Sequence, residues 1–308
     1  MPLPAGQLPL TILCGKGGVG KTTLALALAI RHADQGRAAL VVTSHPLPEL
    51  AVSVSLAGLK ERHPVAAGNL FVIHLNPREI LDGQVKQQIP SHLLADAVLS
   101  SRIYQSLIEV APGLKELAFL SQLQRLTEQR ASEESARKFD LLVWNAPATG
   151  HFLQTLKVSR NFDLYLSGPF ALLGKELARF FSDPSRYALL PVTTLEEMAV
   201  EETIELSKKL REEMSMRPRA ILCNMTSPLL ASSGAETAES RSAMPPEEAA
   251  NPDLQFILDR SAIERSLYER IRSSVETEFR VVQREPHWES DLDLLLAVSR
   301  RLEGLPGV

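Results

Sequence analysis

The sequence predicts an α/β fold in which a mostly parallel central β-sheet carries helices on both faces. Three observations predict it. Short runs of branched apolar residues alternate with longer segments of helical period along the 308 residues. Those short runs are apolar throughout rather than at every second position, the pattern of strands covered on both sides. Leu and Ala dominate an apolar fraction of 44%, and aromatics reach only 5%, which favours helical cover over an all-β design.

Taken in order, strands are expected at 9–14, 38–43, 70–75, 139–145, 187–192, 218–224 and 278–283. Helical patterns fall at 21–35, 77–130 with breaks, 152–181 with breaks, 194–214, 253–276 and 290–302. Gly36 closes the first helix, and "TTLEE" opens the one at 194 as a capping box of Thr194 with Glu197. Each crossover between parallel strands should be right-handed. Two regions depart from the rhythm as helical inserts, 77–138 and 152–186; Pro90, Pro112 and Gly113 interrupt the first. Residues 229–252, small, polar and acidic with paired prolines, read as a mobile loop. No internal repeat is visible, so one domain over 1–308 is expected.

Charge and composition exclude several classes. With 33 basic and 37 acidic residues the net charge is −4, no footprint for nucleic acid or an anionic membrane. The start of the chain has no basic stretch followed by an apolar one, so no signal peptide is read. "LALALAI" at 24–30 is far shorter than the ~20 residues of a membrane span. Cys14 and Cys223, isolated from each other, suggest buried thiols in a reducing, cytoplasmic setting.

The chemistry concentrates at 15–23. Gly15, Lys16, Gly17, Gly18, Val19, Gly20, Lys21 and Thr22 satisfy G-x-x-x-x-G-K-S/T, with Thr23 next, between a predicted strand and a helix start. Glycines let successive backbone N–H groups turn towards phosphate oxygens, and the helix start adds its positive dipole end. Lys21 is placed to reach the β- and γ-phosphates and Thr22 to ligate Mg²⁺, so ATP/ADP with Mg²⁺ are the expected cofactors. These residues point to a phosphate-binding (P-loop) NTPase domain. The general pattern does not require Lys16. "KGGVGKTT" resembles the deviant P-loop class, in which that lysine reaches across a dimer interface; a solvated lysine is the other reading.

Longer stretches carry a family resemblance. "FDLLVWNAPATGHFLQTL" (139–156) resembles the second switch of the ArsA/Get3 family, and "APGLKELAFL" (111–120) its "PGxxE" helix start. "ILCNM" (221–225) is similar to the family strand whose Asn, here Asn224, contacts adenine. "REPHWESDLDLL" (284–295) stands at the late loop that closes over the base, putting Pro286 and His287 there. The resemblance implies an ATP-binding dimerisation switch, homodimeric or paired with an ArsA/Get3-like paralogue, that controls an unknown protein client or a positioning system.

Two positions depart from the family pattern. "TSHP" (43–46) sets His45 where the family carries its water-activating Asp, and Asn145 stands where it keeps an Asp near Mg²⁺. His45 would accept a proton at neutral pH or be a plain loop residue. Lys16, His45 and Asn145 are therefore the candidate catalytic positions, and the expectation is that ATP binds while hydrolysis is impaired or lost. His151 in "ATGH" is read as a packing residue of the switch. Alternatives stay open: an active ArsA-type ATPase for arsenite or tail-anchored proteins, a ParA/MinD-like positioning protein, or an interaction protein with structural nucleotide. Phe170, Leu172, Leu173, Leu177, Phe180 and Phe181, like Leu93, Leu94, Val98, Ile103, Leu107 and Ile108, would line an apolar groove or pack in the core.

Overall fold

The computed structural model describes residues 10–44, 64–111, 113–128, 139–165, 169–231 and 252–303. His45, Pro112, 129–138 and 232–251, most of the expected mobile loop, lie outside the described residues. Seven strands form one sheet: β1 Leu10–Gly15, β2 Ala39–Thr43, β3 Leu70–His74, β4 Leu141–Ala148, β5 Tyr187–Thr194, β6 Ala220–Thr226 and β7 Glu278–Gln283. Their order is β3-β2-β4-β1-β5-β6-β7, and every pair is parallel.

The period-two geometry of a strand explains why these runs had to be apolar throughout. Leu13 of β1, Ala39 and Val41 of β2, and Leu141 and Val143 of β4 point into one core. Leu10 and Ile12, Leu40 and Val42, and Leu142 and Trp144 point into the other. Either face alone would leave half of each strand's side chains in water.

Eleven helices are described. They are α1 Lys21–Asp34, α2 Pro64–Asn69, α3 Pro77–Gln88, α4 His92–Ser100, α5 Arg102–Val110 and α6 Leu114–Glu128, then α7 Thr149–Tyr165, α8 Pro169–Ser182, α9 Glu197–Met214, α10 Pro252–Ser274 and α11 Asp291–Arg301. Helices α1 and α11 cover the first core, where Leu24 and Leu28 meet Leu292, Leu295 and Leu296. Helices α6 to α9 cover the second, with Leu120, Phe152, Phe180 and Leu206. Gly36 ends α1 as expected: at φ 77 its N–H bonds Ala33 O and that of Arg37 bonds His32 O, satisfying two terminal carbonyls.

The structure corrects three details. Thr194 is the last residue of β5, paired with Asn224 of β6, so the capping box is not made; α9 starts after Glu196 with no side-chain cap. The helix expected from 152 starts at Thr149, because β4 runs to Ala148 and passes straight into it. Helix α2, six residues without usable periodicity, was not anticipated. The apolar residues of the inserts divide. Leu177, Phe180, Phe181 and Ile108 are core, whereas Leu93, Leu94, Ile103 and Leu172 stand exposed. The side chains of Phe170 and Leu107 lie outside the described residues. No described helix is long and apolar enough to cross a membrane. Cys14 and Cys223 are free and buried, and burial pushes both thiols up to about 12.

His32, in the last turn of α1, is buried, and its Nδ1 has no hydrogen-bond partner among the described residues. Burial, with Arg37 and Arg31 nearby, lowers its pKa from 6.5 to about 4, against a smaller opposing pull from Asp140. The unfolded chain therefore takes up this proton at a higher pH than the folded one. The contribution of a neutral His32 is complete above pH 6.5 and is lost as pH falls towards 4. The loss is on the order of 3 kcal/mol. Urea titrations across that range should show stability declining on acidification, with His32→Leu flattening the decline; parallel curves for both proteins would contradict the assignment.

Candidate functional site

The site is built at the carboxyl-terminal halves of three neighbouring strands, β1, β2 and β4. Register pairs Asn145 of β4 with Leu13 of β1 on one side and with Thr43 of β2 on the other. Immediately beyond lie the glycine loop after β1, Ser44 after β2 and the "APATG" passage after Asn145. The chain leaves β1 for β2 on one side, while β5, β6 and β7 lie on the other. Such a reversal opens a crevice at the carboxyl ends of the strands.

The loop is held from below and open above. Gly20, the N-cap of α1, has φ 88. A Cβ there would stand 2.4 Å from Nδ2 of Asn224. That amide is buried and donates to Val19 O at 2.9 Å, tying β6 to the loop. Gly17 presents the opposite case, since a Cβ on it would meet nothing within 4 Å. Packing among the described residues does not demand glycine at Gly17, so the backbone there is open to a ligand's approach. Among the described residues no side chain caps α1, and its first turn has no acidic residue, which suits its N-terminal N–H groups to an anion.

Lys21 folds back over this cradle, with Nζ 2.9 Å from Gly15 O and 2.7 Å from Lys16 O. Burial lowers its pKa, while Cys14 and Glu202 on α9 act in the other direction. An ammonium held by two neutral carbonyls is poised to exchange them for phosphate oxygens. Lys16 is half-buried at the rim. Across the cradle, Nδ2 of Asn145 donates to Oγ1 of Thr22 at 3.1 Å.

The expected residues are only partly brought together. Gly15 to Thr23, Asn145 and Asn224 converge. His45 lies outside the described residues, one position beyond Ser44. Pro286 and His287 are exposed, and His287 lines a groove of about 380 Å³ with Ile30, Arg31 and Asp34 along α1. None of residues 15–23 lines that groove. His151 is exposed in the first turn of α7, and Thr149 beside it is buried with Oγ1 unpartnered among the described residues.

Two contributors were missed. Trp144 is fully buried against Phe119 and Phe152, and its indole N–H donates to Ser44 Oγ at 3.3 Å, joining the ends of β2 and β4. A lone aromatic in the aliphatic strand "LLVWNA" was the available signal. Glu202 had none, since it reaches Lys21 only through the packing of α9.

Comparison with known proteins agrees with this geometry. Residues 9–175 match the family described as anion-transporting ATPase, a span that includes the loop and Asn145 but ends before Asn224. An arsenical pump-driving ATPase of Acidiphilium multivorum is 25% identical over 66% of this chain and 37% of its own length. ATPase GET3C of Arabidopsis thaliana is 30% identical over 51% of this chain and 42% of its own. ATPase get3 of Schizosaccharomyces pombe is 29% identical over 54% and 46% respectively. The matches thus span roughly a third to a half of those relatives. The sheet order, the loop and the family match over more than half of its length place this chain in the anion-transporting ATPase (ArsA) family.

Proposed function

We propose that this chain is an ATP-binding dimerisation switch in which hydrolysis is impaired. The observation that carries the reading is the neutral Asn145 amide on Thr22, at the β4 position where the family resemblance calls for a carboxylate. Gly15 to Thr23 bind the polyphosphate through backbone N–H groups, with Lys21 on its outer oxygens. Thr22 is the side chain that would hold Mg²⁺, which supplies charge neutralisation between the phosphates when bound. Asn224 positions the loop and keeps its carbonyl oxygen for the base, with Pro286 and His287 in the loop after β7.

In-line attack on the terminal phosphate needs a positioned water and a base to receive its proton. Asn145 cannot take that proton, and His45 replaces the family carboxylate in the first switch. Binding uses a different set of atoms, so it survives the loss. Gly150 and Thr149, directly after β4, remain to respond to the terminal phosphate.

The buried thiols of Cys14 and Cys223 do not suit metalloid capture, which needs accessible thiolates. Helix α11 packs Leu292, Leu295, Leu296 and Val298 into the core, which disfavours the membrane-surface helix of a positioning protein. The client is a protein, and the partner is a second copy or an Asp-bearing paralogue to whose nucleotide Lys16 extends.

Single-turnover assays should show cleavage at least about 100-fold slower than the ~1 s⁻¹ of a competent ATPase. Calorimetry on the same sample should show ATP binding, and Lys21→Ala should weaken it about 10–100-fold. Turnover at the competent rate would reject impaired hydrolysis. Size-exclusion runs should move this chain, alone or with a paralogue, to dimer mass in ATP and not in ADP, with Lys16→Ala abolishing the shift. A monomer in every mixture would reject the dimer.

A further inference from the structure

We infer that Asn145 makes the grip of this site on a nucleoside triphosphate nearly independent of Mg²⁺; the inference rests on the proposed nucleotide site and concerns what selects the ligand's ionic form. Magnesium demands about six oxygen ligands in near-octahedral array and sheds water reluctantly, so protein sites recruit it with carboxylate charge. At this site the hydroxyl available to it, Thr22 Oγ1, already accepts a hydrogen bond from Asn145 Nδ2 at 3.1 Å. Turning the amide over would exchange donor for acceptor and still bring no negative charge.

The backbone of Asn145 is fixed, paired in ladders with Leu13 on β1 and with Thr43 on β2, so whatever rotamer its side chain takes brings an amide and no carboxylate to Thr22. Its neighbour Trp144 is fully buried and anchored to Ser44. Among the described residues, no group of three or more His, Cys, Asp and Glu side chains is gathered for a metal. Glu202 acts on Lys21.

The charges therefore favour the bare anion. A carboxylate at position 145 would repel a fully ionised triphosphate and attract the cation that neutralises it, making binding conditional on the metal. An amide does neither. Lys16, Lys21 and the uncapped start of α1 attract the polyphosphate in either form.

The test is calorimetric titration of ATP into the full chain, in Mg²⁺ and in excess EDTA, for the wild type, Asn145→Asp and Asn145→Ala, with thermal melts to confirm folding. Wild type and Asn145→Ala should give dissociation constants in the two media within about threefold of each other. Asn145→Asp should separate them by about tenfold or more, chiefly by weakening binding in EDTA. A wild-type separation of tenfold or more overturns the inference alone, whatever the variants do. A folded Asn145→Asp that leaves the ratio unchanged also overturns it. Absence of binding in both media removes the nucleotide site and this inference together.

Discussion

The level at which the central strands end is the constraint on which the rest depends. Because β2, β4 and β1 are parallel and in fixed register, Thr43, Asn145 and Leu13 lie side by side. Asn145 is thereby set beside the starts of the glycine loop and of the segment after β2, which follow Leu13 and Thr43 within two residues. A slip of one residue in β4 would turn Asn145 into the core and bring Trp144 towards the loop. The register is held against that slip by the alternation of the buried side chains, since Leu142 and Trp144 belong to one core and Leu141 and Val143 to the other. Packing far below the site thus decides which atom faces Thr22.

The sheet was legible in the sequence because burial on both faces leaves little choice of residue. All seven apolar runs became strands within about two residues of their expected starts. The failures have local causes. "TTLEE" has the letters of a capping box, but Thr194 gains ladder pairing with Asn224, and the strand outcompetes the cap. Helix α2 is too short to show a period. At the site, the cradle was legible because glycines, lysine and threonine occur there in a fixed spacing. The direction of Asn224 was not, because it depends on how β6 approaches the loop, and spacing along one chain says nothing about that. The tether from Trp144 to Ser44 joins residues a hundred positions apart and has no sequence pattern of its own.

Gripping and cutting make different demands on a phosphate site. The grip is mostly backbone: N–H groups placed by glycine geometry and a helix start, with lysine added as a mobile counter-charge. Those groups persist while the loop keeps its shape, and that shape is secured by contacts outside the phosphate cradle, from Asn224 to Val19 O and from Gly20 against the same amide. Cutting relies on carboxylates at the ends of β2 and β4 in the pattern this chain resembles. Exchanging those for an imidazole and an amide leaves the backbone cradle untouched.

The same separation sets the electrostatics of the cradle. The lack of carboxylates at positions 45 and 145, beside a loop that keeps both lysines, shifts the local balance towards positive, although the chain as a whole carries −4. The surplus is well placed for an anion and poorly placed for a cation, because Lys21 and the start of α1 both bring positive charge to the cradle. A paired, carboxylate-bearing chain would retain the opposite balance. In such a pair, Lys16 of this chain would supply charge to a site that has a base and a metal ligand, and its own cradle would hold nucleotide as a brace. The asymmetry needs no change of fold, only two side chains, at positions 45 and 145.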